Sequence, residues 1–203
     1  MEQGFVKVAS ATPRIRVADP VYNAQVICEQ AKEAAEHGAK IVVFPELCIT
    51  GYTCNDLFLQ ELLLEKAKEA LLTIAEETGQ LETLFLVGLP VDKDGRLYNV
   101  AAVLYRGRIL GMIPKKNIPM YAEFYEGRHF TPGEETVTEY RLGKQVIPFG
   151  SNLLFRCEEL PELILGCELC EDLWVAEPPS TSHALMGATV IANLSASNET
   201  VSK

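Results

Sequence analysis

The sequence predicts an α/β layered fold built on a mixed sheet. Three observations carry this reading: strand-like and helix-like patterns alternate along the chain, consecutive hairpin signals occupy its middle, and no internal repeat or low-complexity segment interrupts it. With 203 residues, 48% of them hydrophobic and 23% charged, the chain has the composition of an ordinary globular domain and the length to bury a substantial core.

Residues 5–10, FVKVAS, alternate as a short strand. Asp19-Pro20 then supplies an N-cap and a proline at the first helical position. Apolar residues recur at Val21, Ala24, Ile27, Ala31, Ala34 and Ala35, and Gly38 stands where a helix-ending glycine belongs. This spacing predicts an amphipathic helix. Residues 40–44, KIVVF, are a run of the kind found in strands covered on both faces, ended by Pro45. A second helix is predicted over 56–78, with Leu59, Leu62, Leu63, Ala67, Ala70, Leu71 and Ile74 on one face and Gly79 at its end. Strands over 84–91 and 97–105 are joined by DKDGR, where Asp94-Gly95 is a strong hairpin signal, and a third strand over 109–113 follows a turn at Gly107. After an aromatic, irregular segment over 117–133, strands are expected at 152–157, 163–169 and 189–195, with a short helix near 182–187. The chain stops just after the last strand, at NLSASNETVSK, so a fragment of a longer domain is expected.

Lys and Arg number 18 against 28 Asp and Glu, a net charge of -10, which argues against electrostatic binding of nucleic acid or an anionic membrane. The N-terminus, MEQGFVKVAS, has no long apolar run, and a cytoplasmic protein is expected. The six cysteines, Cys28, Cys48, Cys54, Cys157, Cys167 and Cys170, then read as reduced thiols, most of them small core hydrophobes.

Three stretches share one anatomy, an apolar strand ending in a reactive polar residue. IVVFPELCITGY delivers Glu46, ILGMIPKK delivers Lys115 and Lys116, and LILGCELCED delivers Cys170. The carboxyl ends of strands form the usual ligand crevice of open α/β sheets. A thiol needs a base or a cation beside it to become a nucleophile. A carboxylate can take its proton, and an ammonium can hold the oxyanion of a tetrahedral intermediate. The set describes acyl transfer, with amide hydrolysis through a thioester as its simplest case.

Rival constellations are poorer. Cys167 and Cys170 form a C-x-x-C, yet no second C-x-x-C or paired histidine completes four zinc ligands. In an extended strand, residues three apart face opposite ways, which makes Cys167 a core residue rather than a redox partner. His37, His129 and His183 do not stand at strand ends, and neither a phosphate-binding glycine loop nor G-x-G-x-x-G is present.

FPELCITGY, PKKNIP and CELCEDLW resemble the three signature segments of the nitrilase, or carbon-nitrogen hydrolase, superfamily, in order and across nearly the whole chain. IPMYAEFYEGRHF and ELCEDLW are similar to one branch of it, the glutaminase domains of glutamine-dependent NAD(+) synthetases. The resemblance implies an αββα sandwich with mixed sheets, residues 1–203 forming one C-terminally incomplete domain. It implies Glu46 as base, Lys115 as oxyanion partner and Cys170 as nucleophile. Lys115 is preferred to Lys116 because the family lysine stands four residues before the proline, here Pro119. It matches Glu123 to the second glutamate of such sites, and Tyr121, Phe124, Glu171 and Ser197 to positions lining the glutamine pocket. The family's pocket arginine falls by count at Lys203. Glutamine is the implied substrate, its ammonia passing to a synthetase domain outside this chain that amidates deamido-NAD to NAD with ATP and Mg. No metal or cofactor is implied for the chain itself, and a homo-oligomer is expected. The alternatives are a free-standing amidase for another small amide or carbamoyl compound, and a non-catalytic relative, which would have lost a member of the triad.

Overall fold

The computed structural model describes residues 4–198. In chain order these form β1 (Val8–Ser10), α1 (Pro20–Glu36), β2 (Ile41–Val43), α2 (Glu61–Glu77), β3 (Leu84–Lys93), β4 (Arg96–Tyr105), β5 (Arg108–Pro114), β6 (Thr138–Leu142), β7 (Gln145–Phe149), β8 (Leu154–Arg156), β9 (Ile164–Leu169), α3 (Pro179–Leu185) and β10 (Val190–Leu194). Short 3-10 segments occupy Tyr52–Leu59, Glu126–Arg128 and Cys170–Trp174.

The strands make two mixed sheets. The larger has the order β1-β2-β3-β4-β5-β7-β6, parallel at β1–β2, β2–β3 and β5–β7 and antiparallel elsewhere. The smaller has the order β10-β9-β8, parallel at β10–β9 and antiparallel at β9–β8. Because strand side chains alternate, the strands β2 to β5 of the large sheet serve two cores. Val42, Phe44, Phe85, Val87 and Leu89 pack under Ala24, Ile27 and Ala31 of α1 and Ala67, Leu71 and Ile74 of α2. Ile41, Leu86, Ala101, Val103 and Ile113 face the other way, against Leu165, Cys167, Leu169, Ala192 and Leu194 of the small sheet. On the far side of that sheet α3 sets His183 against Gly166, so closely that a Cβ there would lie 2.9 Å from the ring Nδ1. The result is an αββα sandwich.

Local chemistry fixes the pieces that matter for the site. Asp19 caps α1 by accepting the Tyr22 N–H at 3.1 Å, with Pro20 at the first helical position. The two hairpins of β3, β4 and β5 turn on Asp94-Gly95 (φ 53° and 73°) and Arg106-Gly107 (φ 46° and 74°). Both positions of each pair are left-handed, as the tight primed turn requires. The turns set the register that brings Val100 opposite Pro114 and Asn99 opposite Pro90.

Beyond shifts of a few residues at element ends and the exposure of Val21 on α1, the structure differs from the sequence expectations in two places. The second helix starts at Glu61; residues before it form the 3-10 segment, broken by Asn55 (φ 49°) and ended by extended Gln60. Leu59 therefore lies outside the helix and is exposed, and Leu62, in the first turn of α2, also faces solvent instead of joining the apolar face. The β6–β7 hairpin lies where no strand is expected. Its inward residues Tyr140, Leu142, Ile147 and Phe149 alternate properly, but Pro148 inside β7 masks the pattern, proline being unfavourable within a sheet. Among the described residues no helix is long and apolar enough to cross a membrane.

Candidate active site

Beyond the end of β2 the chain folds into a compact turn that carries Glu46. Leu47 adopts φ 52° although it is not glycine, and Gly51 closes the turn at φ 89°. The turn lies directly on β3 at Gly88: a Cβ there would stand 2.3 Å from the Leu47 nitrogen and 2.7 Å from the Pro45 carbonyl oxygen. That close approach, with Ile49 N–H donating to the Gly88 carbonyl at 3.1 Å, aims Glu46 inward. From α1, buried Asn23 donates to the Ile49 carbonyl at 2.9 Å and to the Arg16 carbonyl at 2.8 Å.

Lys115 follows β5, its N–H bonded to the Asn99 carbonyl at 2.8 Å. It lies on the face shared with Ile113, where the inter-sheet core gives way to polar residues. The side chain is fully buried and its Nζ donates to Glu46 Oε1 at 2.7 Å and Glu126 Oε1 at 2.6 Å. Asn99 Nδ2 reaches the same two carboxylates, at 2.7 and 3.4 Å, and Tyr52 donates its hydroxyl to Glu126 at 2.7 Å. The Ala196 N–H, just past β10, donates to Glu46 Oε2 at 3.2 Å. Two carboxylates thus flank one ammonium, almost wholly out of water.

Cys170 leaves β9 in the left-handed region, φ 43°, a conformation that L residues adopt rarely and functional sites often. Asp172, 1% exposed, holds this elbow to the lysine loop. Its carboxylate accepts the N–H groups of Leu169 (3.1 Å) and Asn117 (2.7 Å) and the Asn117 side-chain amide (2.9 Å). Burial raises the Asp172 pKa, against these donors.

The electrostatics follow from burial. The Cys170 thiol is pushed up to about 11, chiefly by burial and then by the charge of Glu46, with Lys115 opposing. Burial also raises Glu46, against the pull of Lys115. For Lys115, burial disfavours the charge, but Glu46 and Glu126 outweigh it and hold the ammonium above its usual pKa. Tyr52 is raised by burial and by Glu126, which keeps its hydroxyl a donor. Burial thus favours the thiol form of Cys170, while Glu46 and Glu126 favour the ammonium form of Lys115.

Glu46 and Lys115 are ion-paired and both act electrostatically on Cys170, whereas Lys116 turns outward to Glu135. The second glutamate is corrected. Glu123 is exposed on the loop, accepting a bond from Asn198, and the carboxylate at Lys115 is Glu126. Tyr121, Phe124 and Glu171 lie together near the surface: Tyr121 donates to Glu171 at 2.7 Å and its ring meets Phe124 edge-on at 5.8 Å. Ser197 is exposed, one residue past Ala196. Lys203 lies outside the described residues. Cys167 is fully buried in the inter-sheet core, where burial lifts its pKa further than that of Cys170. The two thiols are separated because β9 ends at Leu169 and the chain turns, so simple strand alternation does not describe the pair.

Glu126, Tyr52, Asn99 and Asp172 are missing from the sequence-derived site. Tyr52 stands inside FPELCITGY and Asp172 inside CELCEDLW, but neither pattern says what the side chain touches. A cavity of about 280 Å³, lined by Lys93, Arg96, Tyr98 and Glu134 among others, shares no residue with this cluster.

A family profile described as carbon-nitrogen hydrolase matches residues 7–203. The chain belongs to the carbon-nitrogen hydrolase family. It is an enzyme of that type, and among curated proteins it is 41% identical over 202 residues to the glutamine-dependent NAD(+) synthetase of Mycobacterium tuberculosis (strain ATCC 25618 / H37Rv), covering 100% of this chain and 30% of that protein. The glutamine-dependent NAD(+) synthetase of Thermotoga maritima is 35% identical over 182 residues, 89% of this chain and 28% of that protein. The chain thus spans about 30% of the length of these relatives. Among solved structures, a glutamine-dependent NAD(+) synthetase from Cytophaga hutchinsonii superposes with a TM-score of 0.83 at 30% identity, over 95% of this chain and 30% of that one. An amidase from Nesterenkonia sp. superposes with a TM-score of 0.71 at 22% identity, over 96% of this chain and 66% of that one, a likeness of fold.

Proposed function

We propose that this chain hydrolyses the side-chain amide of glutamine through a thioester on Cys170, as the glutaminase portion of a glutamine-dependent NAD(+) synthetase. The observation that carries the reading is the buried Glu46–Lys115–Glu126 cluster beside the strained Cys170 elbow. Its chemistry runs as follows. Sulfur attacks the amide carbon while the thiol proton passes to Glu46, so a thiolate never has to accumulate in a site that disfavours it. An ammonium has three N–H groups; two of Lys115's bond carboxylates and the third is available to the developing oxyanion. Collapse breaks the C–N bond as Glu46 returns the proton to nitrogen, which leaves as ammonia. Water then attacks the thioester, Glu46 takes its proton, and the C–S bond breaks to release glutamate and restore the thiol.

Tyr121, Phe124, Glu171 and Ser197 would form the glutamine pocket, the Glu171 carboxylate suiting the substrate's α-ammonium. The ammonia would serve a synthetase domain that uses ATP and Mg, in a cytoplasmic homo-oligomer; residues 1–203 would be part of its amidohydrolase domain. The test is release of glutamate and ammonia from glutamine by the full-length protein, compared with Cys170→Ala. Turnover that vanishes in the variant supports the reading. Hydrolysis of other small amides with glutamine ignored would favour a free-standing amidase, and turnover surviving in Cys170→Ala would overturn the mechanism.

A further inference from the structure

Asn99 is fully buried in β4, beside Lys115 in the hairpin register and on the face turned to the small sheet. Its amide nitrogen donates to Glu46 Oε1 at 2.7 Å and to Glu126 Oε2 at 3.4 Å. Carboxylates only accept, so the amide cannot be turned round. The consequence is that, among the described residues, Asn99 Oδ1 is buried with no hydrogen-bond partner. An unpartnered buried acceptor is costly, and an apolar residue of similar shape would avoid the cost. The two N–H bonds are what the site gains in return.

The acceptor sites on Glu46 show what they do. Each carboxylate oxygen offers about two lone-pair directions. Oε1 is filled by Lys115 and Asn99, whereas among the described residues Oε2 holds only the Ala196 N–H. We propose that Asn99 is a positioning residue for the amide hydrolysis assigned above: it spans Glu46 and Glu126, fixes them on either side of Lys115, and by occupying Oε1 leaves Oε2 as the oxygen that exchanges the proton with Cys170. The inference rests on the proposed function. Its neutrality matters as well, because a third carboxylate here would share one cation with the other two.

Asn99→Asp and Asn99→Ser test this in the full-length protein. The aspartate keeps the shape but replaces the donors with a charge; the serine keeps one donor, which can reach one carboxylate only. We expect kcat for glutamine to fall by at least about a hundredfold in Asn99→Asp and by about tenfold in Asn99→Ser, in the range of general-base contributions, with KM within about twofold. The acid limb of kcat/KM should move upward in both, by about one pH unit in Asn99→Ser, because a carboxylate that loses a donor is protonated more easily. If Asn99→Asp fails to fold, Asn99→Ser decides. A folded Asn99→Ser with an unmoved acid limb, whether its activity is intact or reduced only in step with its stability, would make Asn99 merely structural. If the unchanged protein hydrolyses no amide, the functional reading fails on its own. The carboxyl ¹³C titration of Glu46 then still decides Asn99: a higher midpoint in Asn99→Ser supports it and an equal midpoint refutes it.

Discussion

On the floor of the site Glu46, Lys115, Asn99 and Glu126 are at most 5% exposed and bond one another, while on its rim Tyr121 is 54% exposed and Glu123 and Ser197 stand in water. Glu46 sits on one turn pressed against Gly88, Lys115 just past the end of β5, Asn99 inside β4, and Glu126 on the short 3-10 segment of the 117–133 loop, where it is buried. The rim residues sit on the 117–133 loop and just past β10, held by a few polar contacts such as Tyr121 to Glu171. A rigid buried floor suits the making and breaking of bonds, where charges must be fixed in advance and water kept out. A wet rim suits the entry of a polar substrate. Substitutions on the floor should therefore act on kcat and on stability, and those on the rim on KM.

The largest effects should come from the charged floor. Glu46→Gln, nearly isosteric, should remove glutamine hydrolysis by at least about a hundredfold with the protein still folded, as expected for loss of a base. Lys115→Ala should abolish activity and also cost about 3–5 kcal/mol of stability, since it strands two buried carboxylates. Lys116→Ala, at the solvent-facing neighbour, should change neither by much. Parallel activity assays and thermal melts check all three, and a harmless Lys115→Ala with a fatal Lys116→Ala would reverse the assignment.

Gly88→Ala should come next. Its methyl would meet the Leu47 backbone at 2.3 Å, so the Glu46 turn must move; we expect a loss of about 1–3 kcal/mol from overpacking and a fall in kcat larger than the change in KM. An active, equally stable variant would mean that the turn is less tightly fixed to β3 than the geometry says.

The smallest effect belongs to the rim. Tyr121→Phe removes one hydroxyl donor to Glu171, and because the pair is exposed its loss should raise KM by about twofold to tenfold and leave kcat near the unchanged protein. A collapse of kcat instead would mean that the rim takes part in the chemistry and that floor and rim are not separable.

The same division governs what can be read from sequence. Glu46, Lys115 and Cys170 each follow an apolar run, so their place at strand ends is written in the pattern, and the surrounding segments single them out. Glu126 is not legible in this way: AEFYEGRHF has no period, and nothing local distinguishes Glu126 from Glu123 three residues earlier. Asn99 looks like an ordinary strand residue until the two primed turns set the register that brings it beside Lys115. The β6–β7 hairpin is hidden by Pro148, and the start of α2 by leucines that continue the helical spacing through residues that are not helical. What escapes is tertiary, decided by which distant segment a side chain meets.

The central claim, one nucleophile of two neighbouring thiols, is tested most directly by labelling the full-length protein at neutral pH with a diazoketone analogue of glutamine and mapping the adducts by mass spectrometry. Cys170 sits beside Glu46 and Lys115 at 7% exposure, and Cys167 is fully buried between the sheets. The account predicts an adduct on Cys170 alone, slowed by excess glutamine, with Cys167 unmodified until the protein is unfolded. Equal labelling of both cysteines, or a Cys167–Cys170 disulfide in the native protein, would contradict it.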